Sequence, residues 1–347
     1  MKQLLKNYLS TIWLILGTYV FYSSIKFYQD FFVGRFIFSF APWVNFDIHQ
    51  AFYSIITFYV IFLIPFYYIH KEKGKALLIF EYFFKKWDNR SYTISAPEKT
   101  AFLAWGVKIF FAPLMIFWIL SHIFSLAWWV EIFLQTNKAG VSFLTLFNNS
   151  IFTICFNTIL FIDVFFFTSG YLLESPYLKN TIRSVEPTIF GWAVTLACYP
   201  PFNSYVTNVV GWYSTDFPQF INPQVHITLN VCLLLLMAVY SWASLSLGFK
   251  ASNLTNRGIV ETGPYQYIRH PAYVAKNTAW WIGAIPIILL ALGKEDYSLL
   301  VIVLFSLCAW TSIYTLRAMT EEWHLSNDKE YRIYKQKVRY RFIPKVW

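Results

Sequence analysis

Charged residues are scarce in this chain of 347 residues. Lysine, arginine, aspartate and glutamate together make up 13% of it, whereas hydrophobic residues make up 57% and aromatic residues alone 22%. Soluble domains carry about 25% charged residues, and a disordered chain has far less apolar surface to bury, so both classes are excluded. The composition therefore predicts an all-α, polytopic bundle of membrane-spanning helices.

Cysteine and glycine are also sparse, and neither forms a binding motif. The four cysteines lie singly in apolar runs, without a CxxC pair, which argues against a disulfide framework and a zinc site. The histidines show no metal-ligand spacing, and none of the 13 glycines stands in a GxGxxG motif. We therefore expect no bound metal, and no nucleotide-binding fingerprint of the soluble type is present.

Eight apolar stretches approach the length of about 20 residues that a membrane-spanning helix needs. They lie near Tyr8–Tyr28, Ile48–Ile69, Ala101–Trp129, Asn149–Leu172, Pro187–Val206, His226–Gly248, Asn277–Leu292 and Tyr297–Leu316. The fifth is interrupted by Pro200-Pro201, and the seventh is short and contains Pro286. A short turn joins the last two, which predicts a C-terminal helical hairpin followed by an amphipathic cytoplasmic tail.

Positive charge is distributed unevenly between these stretches. The net charge is +10, and if the N-terminus is cytoplasmic, most of the 28 lysines and arginines fall in cytoplasmic segments. This is the positive-inside bias of membrane proteins, so we expect membrane lipids rather than nucleic acid as the partner of the basic residues. The pattern predicts a multi-pass protein with both termini cytoplasmic, in a bacterial inner membrane or the endoplasmic reticulum.

Two polar segments flank the predicted hairpin. The first contains Arg269-His270-Pro271 and the second contains Glu321-Glu322. Because two antiparallel helices return the chain to the face it left, we expect these residues to meet at one end of the bundle. Charges at that depth are costly unless they pair or form a site. The pattern thus indicates either a functional site or an Arg–Glu clamp that only fixes the hairpin.

The same residues resemble a known family. The pattern GPYxxxRHPxY, then EExxL, then YxxYxxxV is carried by Gly263-Pro264-Tyr265, Arg269-His270-Pro271, Tyr273, Glu321-Glu322, Leu325, Tyr331, Tyr334 and Val338, with Pro344 beyond them. In combination it resembles the integral-membrane methyltransferases, which include isoprenylcysteine carboxyl methyltransferase and phospholipid N-methyltransferases. The resemblance covers about residues 250–347. We therefore divide the chain into a transmembrane region of no recognised family, residues 1–225, and a methyltransferase-like catalytic region, residues 226–347.

The resemblance implies S-adenosylmethionine as methyl donor, in a pocket capped by the C-terminal segment. It implies a lipophilic acceptor: an isoprenylcysteine-like carboxylate, a phospholipid amine or another lipid-soluble group. The cofactor-binding residues that it implies are Tyr265, Arg269, His270, Pro271, Tyr273, Glu321 and Glu322. Among them Arg269, His270 and Glu322 are the expected catalytic residues, with His270 acting either as a base or as a hydrogen-bonding group that orients a neighbour.

The tail departs from the family pattern. The family has an arginine before a Val-Pro step that is implicated in substrate binding, whereas this chain reads Lys337-Val338-Arg339. We therefore take Lys337, Arg339 and Arg341 as candidate substrate-binding residues. The small residue and glycine that often follow the motif tyrosine are also replaced, and Gly283 is the later position at which we expect a close helix approach.

Two other functions stay open at this point. Sterol-type reductases share a related C-terminal pattern and use NADPH, but this chain has Ala272 in place of their asparagine and Lys276-Asn277 in place of their Gly-Glu. A non-enzymatic lipid-binding or transport protein would need polar residues spread along a pathway through the membrane. Here the polar residues cluster at one predicted face.

Overall fold

The computed structural model describes residues 2–32, 37–41, 44–344 and 346, with side chains over 2–29, 50–344 and 346. The all-α class is confirmed. The helices are α1 (Lys2–Ser24), α2 (Lys26–Phe32), α3 (Ile48–Ile69), α4 (Lys75–Asp88), α5 (Ala96–Lys138), α6 (Phe143–Leu146), α7 (Phe152–Leu172), α8 (Ile189–Leu196), α9 (Phe202–Val210), α10 (Pro223–Leu247), α11 (Pro271–Gly293), α12 (Tyr297–Leu325) and α13 (Lys329–Lys337). The strands β1 (Ile37–Ala41), β2 (Val44–Asp47), β3 (Ser184–Val185) and β4 (Thr255–Asn256) form two antiparallel ribbons, β1–β2 and β3–β4.

Six helical segments in the described part of the chain are long and apolar enough to cross a membrane. They are Gln50–Ile69, Ala96–Lys138, Phe143–Leu172, Pro223–Lys250, Pro271–Gly293 and Tyr297–Leu325. The first predicted span is the helix α1, which is not among these six. The fifth is broken into α8 and α9 on either side of Pro200-Pro201, because proline lacks the N–H that a continuous helix requires.

The chain forms two compact units, Met1–Phe117 and Trp118–Trp347. This division follows packing, whereas our boundary between residues 225 and 226 follows family resemblance and stays a prediction. In the first unit α1 packs on α3 and α4. The buried side chain of Asn7 donates to the carbonyl of Glu72 at 2.7 Å and accepts from the backbone N–H of Gly74 at 3.0 Å. These bonds fix the turn that leads into α4.

In the second unit α10 lies between α7 and α11, and α11 in turn packs on α12. Phe147, Phe152, Leu233, Met237 and Ala279 form an apolar cluster where α7, α10 and α11 meet. Near the middle of α11 a Cβ on Gly283 would clash with the carbonyl oxygen of Thr215. The close approach expected at Gly283 is thus present, but its partner is the segment before α10 and not a helix.

The ribbon β3–β4 joins the loop after α7 to the loop after α10. Asn180 anchors the first loop, since its fully buried side chain donates to the carbonyls of Leu173 at 2.7 Å and Phe249 at 3.1 Å. Its side-chain oxygen accepts from the backbone N–H of Ser175 at 2.8 Å. The two loops therefore form one wall beside the helices α10, α11 and α12.

We predict that Asn180→Ala loosens this wall. The change leaves up to three buried backbone groups without a partner, and each such group costs about 1–3 kcal/mol. We expect the thermal unfolding midpoint of the purified protein in detergent to fall clearly. Asn137→Ala, a substitution of an exposed asparagine, is the matched control and should stay within about 0.5 kcal/mol of the wild type. Equal midpoints for the two variants would contradict the anchoring role.

Candidate functional site

The helices α11 and α12 form the predicted hairpin. Pro271 occupies the first turn of α11, where its missing N–H costs nothing, and the carboxylate of Asp296 caps α12 by accepting from the backbone N–H of Leu299 at 3.0 Å. Ala284, Val303 and Leu307 are buried in the contact between the two helices. The hairpin brings the start of α11 beside the end of α12, so the RHP turn and the Glu-Glu pair meet.

Glu322 is the centre of a buried cluster of charges, with its side chain only 1% exposed. Its Oε1 accepts from Arg269 Nε at 2.7 Å and lies 3.2 Å from His270 Nε2. Arg341 approaches from the tail, with Nε 3.1 Å from Oε1 and Nη2 2.9 Å from Oε2. Removing a carboxylate from water is costly unless such partners compensate it. The carboxylate of Glu322 therefore binds the RHP turn and the tail.

The tail is fastened to the RHP turn by its backbone as well. Arg269 Nη1 donates to the carbonyls of Val338 at 2.8 Å and Arg339 at 2.6 Å. The backbone N–H groups of Arg269 and His270 donate to the carbonyls of Tyr340 and Arg341 at 3.0 and 3.1 Å. The tail thus crosses the beginning of α11 in a fixed register.

The helix α13 adds an apolar contact to this attachment. Tyr331, Tyr334 and Val338 are buried against Tyr265 and its neighbours, and the hydroxyl of Tyr334 donates to the carbonyl of Tyr265 at 2.7 Å. Burial raises the pKa of the Tyr331 and Tyr334 hydroxyls above their ordinary value, so both stay protonated at neutral pH. The C-terminal segment, which we expect to cap a pocket, thus lies against the turn Gly263-Pro264-Tyr265.

Glu321 points to a different set of partners than its neighbour Glu322. It accepts a short hydrogen bond from the hydroxyl of Tyr273, and its Oε1 lies 3.3 Å from Arg317 Nε. Its other oxygen is 3.8 Å from His270 Nδ1. The ring of His270 stacks on Tyr273 with an interplanar angle of 7°. His270 therefore lies between both carboxylates of the pair.

A cavity of about 200 Å³ opens beside this cluster. Five of the seven residues that the resemblance implies for cofactor binding line it, namely Tyr265, Arg269, His270, Tyr273 and Glu321. In the described part of the chain Pro271 and Glu322 do not line the cavity; they lie behind its wall. The cavity is also lined by residues 252–260 and by Tyr331 and Tyr334 of α13.

Three buried polar atoms in residues that line the cavity have no hydrogen-bond partner in the region that the structure describes. They are Arg257 Nη2, Asn253 Nδ2 and the hydroxyl of Tyr331. The remaining guanidinium nitrogens of Arg257 donate to Ser252 Oγ at 2.8 Å and to the carbonyl of Asn180 at 2.9 Å. Burial lowers the pKa of Arg257 from its ordinary value, but the guanidinium group remains charged. Because their residues line the cavity, these atoms are candidate hydrogen-bonding groups for a ligand.

The three candidate substrate-binding residues of the tail lie elsewhere. Lys337 forms an exposed ion pair with Glu261 at 2.8 Å, Arg339 contributes its carbonyl to Arg269, and Arg341 pairs with Glu322. Within the described ranges none of the three lines the cavity. Their role in substrate binding stays a prediction, and the contacts show an attachment role.

Sequence reasoning missed several residues that line the cavity: Glu186, Asn253, Arg257, Lys276 and Arg317. Arg317 Nη2 donates to Asn253 Oδ1 at 2.6 Å, and its guanidinium group lies 5.3 Å from the ring centroid of Tyr273. For Lys276 and Arg317 a signal existed, because an ionised residue inside an apolar helix usually faces a cavity or a partner. Asn253 and Arg257 lie in the same polar segment as the RHP turn, but that segment alone does not show which of its residues line the cavity.

We predict that Glu322→Gln detaches the tail. The change removes the counter-charge of two arginines, and removing one partner of a buried ion pair costs about 3–5 kcal/mol. We expect a lower thermal midpoint in detergent and faster trypsin cleavage after Arg339 and Arg341, read by mass spectrometry.

The matched control for this variant is Lys337→Gln, which breaks an exposed pair worth about 0–1 kcal/mol. Its midpoint should equal that of the wild type. If trypsin cleaved the tail of Glu322→Gln no faster than that of the wild type, the proposed role of Glu322 in attaching the tail would be refuted.

Residues 225–327 match the isoprenylcysteine carboxyl methyltransferase (ICMT) family, and the comparison with curated proteins finds no match to the chain. The matched range runs from the start of α10 to just beyond α12 and includes the loop with Asn253 and Arg257. The tail pattern with Tyr331 and Tyr334 lies beyond it and stays a prediction. With its long apolar helices, the C-terminal region of this chain is therefore similar to the isoprenylcysteine carboxyl methyltransferases, a family of membrane methyltransferases.

Proposed function

We propose that this protein transfers a methyl group from S-adenosylmethionine to a lipophilic acceptor within the membrane. The family match of residues 225–327 supports methyl transfer, and six long apolar helices support a membrane location. The observation that carries the proposal is the cavity beside the RHP turn, lined by a carboxylate, aromatic rings and buried donors without partners.

The residues of the cavity fit this methyl donor. The donor carries a carboxylate, an ammonium group, ribose hydroxyls and a positively charged sulfur. Arg257 and Asn253 offer buried N–H groups without partners, which suit a carboxylate or hydroxyls. Glu321 suits the cationic groups, because a carboxylate attracts a nearby positive charge.

S-adenosylmethionine, when bound, supplies a methyl group that is already activated by the positive sulfur. The protein then has to align donor and acceptor in a site from which water is excluded. Arg269 and His270 line that site, and Glu322 holds both in place from behind. We propose that Glu322 acts through these two residues and that His270 orients Glu321 and the ligand.

We propose that the donor enters from the cytoplasm and the acceptor from the lipid. With both termini cytoplasmic, the RHP turn and the tail lie at the cytoplasmic end of the bundle, where a water-soluble donor is available. Lipid-soluble acceptors diffuse within the membrane and reach the cavity between helices. The basic tail is expected to contact anionic head groups of a bacterial inner membrane or the endoplasmic reticulum.

We predict that the purified full-length chain in detergent binds S-adenosylhomocysteine, the product form of the donor, and does not bind NADPH. Glu321→Gln should weaken this binding about tenfold or more, because a charge-assisted hydrogen bond contributes about 1.5–3 kcal/mol. Isothermal titration calorimetry measures both affinities.

Glu295→Gln is the matched control, since it makes the same change at the exposed opposite end of the hairpin. It should bind as the wild type does. Tight NADPH binding would favour a reductase, and binding of neither nucleotide would favour a non-enzymatic lipid-binding or transport protein.

We also predict that incubation with S-adenosylmethionine labelled in its methyl group and a total lipid extract gives an organic-soluble labelled product. Mass spectrometry of that product identifies the acceptor. Arg269→Ala should lose the label, because it removes a cavity residue and one of the partners of Glu322. Label that stays in the aqueous phase would contradict a lipophilic acceptor.

A further inference from the structure

Lys276 places a positive charge deep in the cavity, inside the apolar helix α11. It follows His270 by six residues, which is about 9 Å along a helix at 1.5 Å per residue. Ala272, Tyr273 and Lys276 follow helical spacing on the face that lines the cavity. The lysine therefore marks a second level of the cavity, further from the tail than the motif residues.

Three aromatic rings surround the ammonium group at this level, one from each of three helices. Its Nζ lies 5.4 Å from the ring centroid of Tyr240 on α10, 5.5 Å from Trp280 on α11 and 5.7 Å from Tyr314 on α12. Such rings stabilise a cation without taking up its hydrogen bonds. The position of the charge is thus fixed while its N–H donors stay available.

The nearest buried acid does not neutralise Lys276 by direct contact. Asp163 accepts from the hydroxyl of Tyr240 at 2.8 Å and, through its other oxygen, from Ser244. Asp163 and Asp216 act on Lys276 electrostatically, but Lys276 has no ion pair or hydrogen bond with any residue that the structure describes. An ammonium group has three N–H donors, and in an apolar bundle such a group calls for an acceptor.

The other cation at this depth has its own partners. Arg317 is paired with Glu321 and Asn253, and its guanidinium group lies 5.9 Å from the ring centroid of Tyr314. The ring of Tyr314 thus lies close both to Arg317, which has partners of its own, and to Lys276. The two levels of the cavity differ in chemistry, with carboxylates at the motif end and an unpaired ammonium at the deep end.

We propose that Lys276 is the specificity-determining residue of the acceptor site and binds an ionised acidic group of the lipophilic acceptor, while excluding amines. This inference rests on the proposed methyl transfer. An oxygen or sulfur of the ionised group forms a bond to the methyl carbon as the carbon–sulfur bond of the donor breaks, and that electron pair stays on sulfur. A carboxylate or a phosphate is already deprotonated at neutral pH, whereas a thiol binds as the thiolate and releases its proton to water before the transfer.

The test uses four amphiphiles with the same sixteen-carbon chain: a carboxylic acid, a thiol, a phosphate monoester and an amine. Purified full-length protein is given each one with donor labelled in its methyl group. We expect label in at least one of the three acidic acceptors, which distinguishes the kind of acid, and none in the amine. Label in the amine, or in none of the four, overturns the proposal.

Lys276→Met keeps an unbranched side chain, one atom shorter, and removes the charge. We expect it to raise KM for the acidic acceptor about tenfold or more, since a hydrogen bond to a charge is lost, with unchanged affinity for S-adenosylhomocysteine. Lys276→Arg should restore most of the KM. The control is Lys294→Met, the same change at the exposed end of α11, which should leave KM unchanged.

The outcomes separate this proposal from the proposed function. An unchanged KM in Lys276→Met refutes the acceptor role while the methyltransferase stands. A lower thermal midpoint with unchanged KM assigns Lys276 to stability alone and also refutes it. Failure of the wild type to bind S-adenosylhomocysteine refutes the proposed function itself.

Discussion

The buried carboxylate of Glu322 joins three parts of the chain that are far apart in sequence. It sits on α12, accepts from Arg269 at the start of α11, and accepts again from Arg341 in the tail. A buried carboxylate is stable only when nearby cations and hydrogen bonds offset the cost of removing it from water. The hairpin end, the RHP turn and the tail therefore have one favourable arrangement, in which all of them contact Glu322. The cavity exists because this arrangement keeps α13 over it.

The adjacent residues Glu321 and Glu322 have different partners, because successive residues of a helix point about 100° apart. Glu322 faces the packed interior and serves the clamp, whereas Glu321 faces the cavity with Tyr273 and Arg317. The sequence left a clamp and a functional site as alternatives. The structure supports their coexistence: one residue of the pair fixes the geometry, and the other is available to a ligand.

Topology made the hairpin and the meeting of the RHP turn with the Glu-Glu pair predictable, since two antiparallel helices leave little choice. The positions of Asn253 and Arg257 were not predictable, because they depend on the long-range ribbon β3–β4 and on Asn180. Span ends were also misplaced: the sequence begins the seventh span at Asn277, whereas α11 begins at Pro271 and takes Lys276 into the helix. When a predicted span is ended at the first charged residue, the prediction leaves out ionised residues that belong to the helix and face a cavity.

The chemical difference between the two levels of the cavity has a consequence for methyl transfer. Under the proposed methyl transfer, a cationic donor is favoured beside Glu321 and an ionised acceptor beside Lys276, so opposite charges bring the two reactants to adjacent positions. Transfer neutralises both: the positive sulfur becomes a thioether, and a singly charged acid becomes a neutral methylated product. In the proposed reaction S-adenosylhomocysteine keeps the ammonium group that suits Glu321 and loses only the charge on sulfur, whereas the methylated acid loses its attraction to Lys276. A site with an ammonium at the acceptor end thus holds the ionised acceptor more tightly than its neutral product, which favours release of that product.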